Sequence, residues 1–147
     1  MKREIKFKAK RLDNGEWVIG NLINWHPKLN PRIIHFETVI GNDQNDEQFT
    51  ETNNEVHPET VCQFTGLQDK NGIDIYEGDV VRWDDGTKGE KWRVAVVEIN
   101  PDIQFKIVRI ECDFIQSAQE GCIFRFGNFI YKDTHNHFEI LSNTHDK

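Results

Sequence analysis

A chain of 147 residues is long enough for one ordinary domain or two small ones, and its ten Phe and four Trp offset an apolar share of only 37%. The net charge of −7 argues against nucleic acid as the first partner to consider, because phosphate contacts need a basic surface. No stretch has the length of a membrane span or the apolar region of a signal peptide, and three cysteines without CxxC spacing are read as reduced thiols, so the expectation is a soluble cytoplasmic protein.

The chain opens with Ile5, Phe7 and Ala9 alternating with Lys6, Lys8 and Lys10, a period of two that predicts a half-buried strand with one basic face. Asp13-Asn14-Gly15 turns the chain, and Trp17 to Trp25 returns as a second strand interrupted by Gly20. Two prolines, Pro27 and Pro31, make the next stretch a loop, and Ile33 to Ile40 predicts a third strand. Residues 41–55 are polar and acidic, with Phe49 as their sole large apolar residue, and are expected to form a mobile loop. Residues 41–60 hold Asp43, Asp46, Glu47, Glu51, Glu55 and Glu59 with no Lys or Arg, whereas residues 1–11 are strongly basic. Both stretches are read as solvated surfaces, the sharper alternative being that they meet between subunits.

Beyond residue 60 the pattern is one of short strands and tight turns. Asn71-Gly72 is expected to make a two-residue type I′ turn, since both residue types tolerate positive φ. Glu77-Gly78-Asp79 punctuates the chain again before Val80–Trp83, and Trp92–Ile99 and Ile103–Ile110 flank a break at Asn100-Pro101-Asp102. Cys122–Phe126 and Phe138–Leu141 complete five short strands, with one short helix expected around Glu111 to Gln119. Such a set fits a small barrel that removes its own sheet edges.

The segment Thr65-Gly66-Leu67, Asp69-Lys70-Asn71-Gly72 and Tyr76-Glu77-Gly78-Asp79 before a Val-rich strand resembles the hallmark of the YopX family, small proteins of phages and prophages. The resemblance extends upstream to Arg3–Phe7 and Gly15–Gly20, and downstream to Phe138–Asp146. It implies an SH3-like barrel in the second part of the chain and a phage or prophage context, and it implies no particular reaction.

Candidate chemistry is sparse. Asp133, His135 and His137 alternate as ligands on one strand face would, but no cysteine pair completes a structural zinc set, and a polar loop explains them as well. Ser117 and Ser142 lie in no nucleophile-elbow pattern, Asp84-Asp85 precede a Gly and suit a turn, and there is no P-loop or dinucleotide fingerprint. Tyr76, Glu77, Asp79 and Trp83 form the candidate binding set, as a groove on a small barrel would present them, although turn geometry alone accounts for Gly78 and Asp79. Lys6, Lys8 and Lys10 form a basic surface that, with nearby Trp, suits a nucleic-acid-binding alternative.

The sequence thus describes a mainly β protein, with an N-terminal antiparallel region over residues 1–60 and a small SH3-like barrel over residues 61–147. The expected role is that of a non-enzymatic, homo-oligomeric binding module without a cofactor, whose macromolecular partner is not specified by any motif. The alternatives are a nucleic-acid-binding module and a metal-binding protein through His135 and His137.

Overall fold

The computed structural model describes residues 4–40, 47–84, 92–111, 122–126 and 137–146, and the chain divides into two compact units, Met1–Gln63 and Phe64–Lys147. It is mainly β, built from antiparallel ladders.

In the first unit the alternation of apolar and basic residues becomes strand β1 (Phe7–Lys10), paired with β2 (Trp17–Ile23) in a register that sets Lys8 against Ile19 and Lys10 against Trp17. β2 then pairs with β3 (Arg32–Ile40), Asn21 lying opposite Ile34. The change of partner falls at Gly20, where a Cβ would press on the backbone oxygen of Ile34 and come within 3.2 Å of Ile33 Cγ2. Only a residue without a side chain lets the two backbones approach this closely.

Residues 47–55, expected as loop, form instead a nine-residue strand, β4 (Glu47–Glu55), which pairs with β3 at every position from Arg32↔Glu55 to Ile40↔Glu47. From Phe49 to Glu55 no residue of this strand is buried, so the apolar alternation that reveals a strand is missing while the backbone ladder is intact. Residues 41–46, the remainder of the expected loop, lie outside the described residues. The buried centre of this unit is Ala9, Ile33 and Val56, with Phe7, Val18, Leu22 and Val61 packed on it. A 3₁₀ turn, Pro58–Thr60, closes it: Thr60 Oγ1 accepts from Lys10 N–H at 2.9 Å and donates to His57 O at 2.8 Å.

Strand β5 (Cys62–Gln68) begins opposite β1, at Lys8↔Cys62 and Phe7↔Gln63, and its later residues pair with β6 (Asp74–Tyr76). A bulge between Phe64 and Leu67 holds Gly66 at φ 87°. The second unit's other sheet runs in the order β10-β9-β8-β7-β11, from β7 (Asp79–Asp84), β8 (Trp92–Ile99), β9 (Ile103–Glu111), β10 (Ile123–Arg125) and β11 (Glu139–Asn143). Among the described residues neither sheet closes on itself, so the expected barrel is seen as open antiparallel sheets. The helix expected around 111–119 lies outside the described residues but for Glu111, the last residue of β9.

The core of the second unit is aromatic. Trp83 stacks on Phe138 with centroids 5.1 Å apart and an interplanar angle of 18°, Phe105 meets Phe138 edge-on at 5.0 Å, and Ile75, Val81, Ala95, Val97 and Ile107 fill the rest.

Candidate functional site

The dense run of turn chemistry from Asp69 to Asp79 is the natural place to look for a site, and its geometry is that of two latches. Asp69 is 1% exposed, and its carboxylate accepts three backbone N–H groups: Asn71 at 2.9 Å and Ile73 at 3.0 Å on Oδ1, and Ile140 at 3.1 Å on Oδ2. Lys70 N–H adds a bond to Phe138 O at 2.8 Å. The turn is therefore pinned to the last strand, more than sixty residues away in sequence. It is not the two-residue type I′ turn expected from Asn71-Gly72. Asp69 N–H donates to Ile73 O and Gly72 N–H to Asp69 O, which makes a three-residue loop with Gly72 at φ 76°. The carboxylate of Asp69 selects this loop, since it satisfies the N–H of Asn71 inside it and that of Ile73, which closes it.

Gly78 and Asp79 form the second latch. Gly78 stands at φ 86°, and its N–H donates to Val97 O while its carbonyl accepts from Thr144 N–H, both at 2.8 Å. Asp79, 2% exposed, accepts from Tyr76 N–H at 2.8 Å and from Asn143 Nδ2 at 2.9 Å. Asn143 Oδ1 in turn accepts from His145 N–H, and Asp146 Oδ2 accepts from Asn143 N–H. The tail is thus folded over the Glu77–Asp79 turn by hydrogen bonds that centre on the buried Asp79 and Asn143.

This arrangement decides what the candidate binding residues present to solvent. Tyr76 is 3% exposed and Trp83 lies in the aromatic core, so three of the four residues, Tyr76, Asp79 and Trp83, have almost no surface to offer a ligand. Glu77 is half-buried at the turn. An outlying ion cluster sits nearby: Glu139 accepts from Arg82 at 2.7 Å, with Lys70 Nζ at 3.5 Å, and the Arg82 guanidinium holds the Glu139 carboxyl below its ordinary value.

The basic surface is also engaged. Lys6 Nζ lies 3.5 Å from Glu4, and Lys8 and Lys10 sit over the Trp17 ring at 4.6 and 5.3 Å from its centroid. The lysines thereby cover an indole face that a nucleic-acid base would need for stacking. His137 is half-buried, and His135 lies outside the described residues, as do Asp133, Ser117 and Cys112. Among the described residues no group of three or more His, Cys, Asp or Glu is placed to hold a metal ion, and no helix is long and apolar enough to cross a membrane.

Two surface features of the first unit escaped the sequence. One is a groove of about 290 Å³ lined by Leu22, Pro27, Leu29, Pro31, Pro58 and Val61, with Asn24, Lys28 and Asn30 at its polar points. It holds no acid, hydroxyl or thiol, and Asn30 already donates to Glu55 at 3.1 Å, so it lacks a nucleophile and base pair. The other is the sheet face opposite the core. Residues directly across a ladder share a face, as do alternate residues along a strand. The registers Lys10↔Trp17, Lys8↔Ile19, Asn21↔Ile34, Phe36↔Glu51 and Thr38↔Phe49 therefore place Trp17, Ile19, Ile34, Phe36 and Phe49 on one side. Ile19 is 48% exposed, Phe36 57% and Phe49 68%.

A solved structure described as the crystal structure of protein EF1440 from Enterococcus faecalis aligns over 98% of this chain and 95% of its own, at 17% identity and a TM-score of 0.47. No curated protein matches the chain. The family model described as YopX protein matches residues 6–141, from the basic first strand to the last strand of the second unit. The chain belongs to the YopX family.

Proposed function

We propose that this is a phage- or prophage-type cytoplasmic protein that works by binding rather than by catalysis, and that it self-associates through the solvent side of its first-unit sheet. The observation that carries this reading is the row of Ile19, Phe36 and Phe49, three large apolar side chains on one face with about half or more of their surface in water. Contiguous apolar surface on a folded protein marks an interaction face, and identical patches on two copies satisfy each other about a two-fold axis. The second unit, in this proposal, is an SH3-type barrel whose fifth strand returns beside its first, supported by the order β10-β9-β8-β7-β11. Its polar hallmark residues hold the second unit together rather than forming a reaction centre.

Sedimentation equilibrium at micromolar concentration tests the proposal. The wild-type chain is expected to self-associate, and a Phe36→Ser, Phe49→Ser double variant with an unchanged circular dichroism spectrum is expected to be a monomer. A monomeric wild type, or a double variant that associates as the wild type does, would remove it.

A further inference from the structure

We infer that the outer edge of β4 is a docking site for a basic, extended segment of a partner protein, which adds to the first-unit sheet as a further strand. The site adjoins the self-association face: it uses the backbone edge of the strand and the Glu51 carboxylate, and shares the Phe49 side chain with that face.

The edge is long and regular. β4 follows β3 through nine consecutive pairs with no register shift. A strand bonded on one side directs alternate N–H and C=O groups away from that neighbour, toward whatever lies at its free edge. At the C-terminal end this edge is occupied: Leu12 N–H donates to Glu55 O at 3.0 Å, and an isolated bridge joins Arg11 to Val56. From Phe49 to Asn54, no strand pairs with the outer edge among the described residues.

Folded proteins ordinarily blunt such an edge with lysine, proline or a bulge. The segment Phe49-Thr50-Glu51-Thr52-Asn53-Asn54 has none of these, and its Phe and Thr residues favour an extended chain. Its one charge is Glu51, exposed at the middle of the edge and on the same face as Phe49 and Phe36.

Charge selects the occupant. Residues 41–60 contain no Lys or Arg, and the cation on the neighbouring strand, Arg32, donates from Nε to Asn53 Oδ1 at 2.6 Å. An incoming strand with Lys or Arg opposite Glu51 and an apolar residue opposite Phe49 matches both side chains while the backbones pair, the mode by which strand addition combines affinity with specificity. A second copy of β4 is the poorer fit, because β4 carries no cation to set against Glu51 in any register.

The test uses the full chain and a fluorescein-labelled probe peptide of alternating Lys and Val, with the same peptide N-methylated at every backbone amide as its isocharged control. Fluorescence anisotropy is expected to show saturable binding of the Lys-Val peptide. The N-methylated peptide is expected not to bind, because it has no N–H to donate to a ladder. Hydrogen exchange should slow at amides within 49–54. Glu51→Lys, an exposed substitution that leaves the thermal midpoint unchanged, should weaken binding about tenfold or more, as loss and reversal of a complementary interfacial charge does. Equal binding of the two peptides would assign the effect to charge alone and overturn the inference. No binding, protection outside β4, or wild-type affinity in Glu51→Lys would overturn it as well. Protection of the same amides in peptide-free protein, rising with protein concentration, would assign the edge to a second copy instead.

Discussion

At the scale of single residues, the hallmark segment is explained by hydrogen bonds that reach far along the chain. Asp69 satisfies N–H groups of the turn and of β11 together, and Asp79 joins its own turn to Asn143. Gly78 is fixed both by its φ of 86° and by its neighbours, since a Cβ there would lie 3.1 Å from Thr144 Oγ1. The ion cluster on β7 and β11 makes a pH prediction. Arg82, through its hydrogen bond and its charge, holds the Glu139 carboxyl below its ordinary 4.5 in the folded chain. A carboxyl with a depressed folded value binds protons more readily when unfolded, so its contribution to stability is present above 4.5 and is lost as pH falls through the folded value. Thermal midpoints measured between neutral and acid pH should fall less steeply below this point for Arg82→Gln than for the wild type; parallel profiles would deny the pairing an energetic role. The sequence made Gly78 and Asp79 legible as a turn, because positive φ and local side-chain bonding are written in residue type. It did not reveal the partners of Asp69, since nothing in an Asp-Lys-Asn-Gly run names a strand that follows some seventy residues later.

At the scale of elements, the strands that bury one face were legible and those that do not were hidden. β1, β2 and β3 carry Ala9, Val18 and Ile33 inward at every second position, and their alternation reports that burial. β4 has no such face, and its pairing is a property of backbone groups that side-chain periodicity does not record. Trp83 shows the converse limit: its residue type suits a binding groove and a core equally, and only the positions of Phe105 and Phe138 distinguish them. Gly20 is the pivot on which β2 passes from β1 to β3. Gly20→Ala is expected to destabilise the protein by about 1–3 kcal/mol, the cost of forcing a side chain into a closed packing contact. Urea unfolding gives the value, and a Gly20→Ala chain as stable as the wild type would mean that the strands separate there at little cost.

At the scale of the whole molecule, polar residues that look functional are spent on holding the second unit, while the first unit leaves an apolar face and a backbone edge in water. The net charge of −7 opposes close approach of two copies unless the contact is apolar, which is the character of the Ile19, Phe36 and Phe49 face. That division of labour is the central claim, and equilibrium urea unfolding of two variants, at a protein concentration too low for self-association, tests it most directly. Asp69→Ala removes the acceptor for three backbone N–H groups and is predicted to lower stability by on the order of 3 kcal/mol. Phe36→Ser with Phe49→Ser alters only exposed side chains and is predicted to remain within about 0.5 kcal/mol of the wild type per site. The opposite pattern, with Asp69→Ala as stable as the wild type and the double variant unfolding early, would contradict the account: the hallmark would be free for a ligand, and the exposed face would belong to the fold.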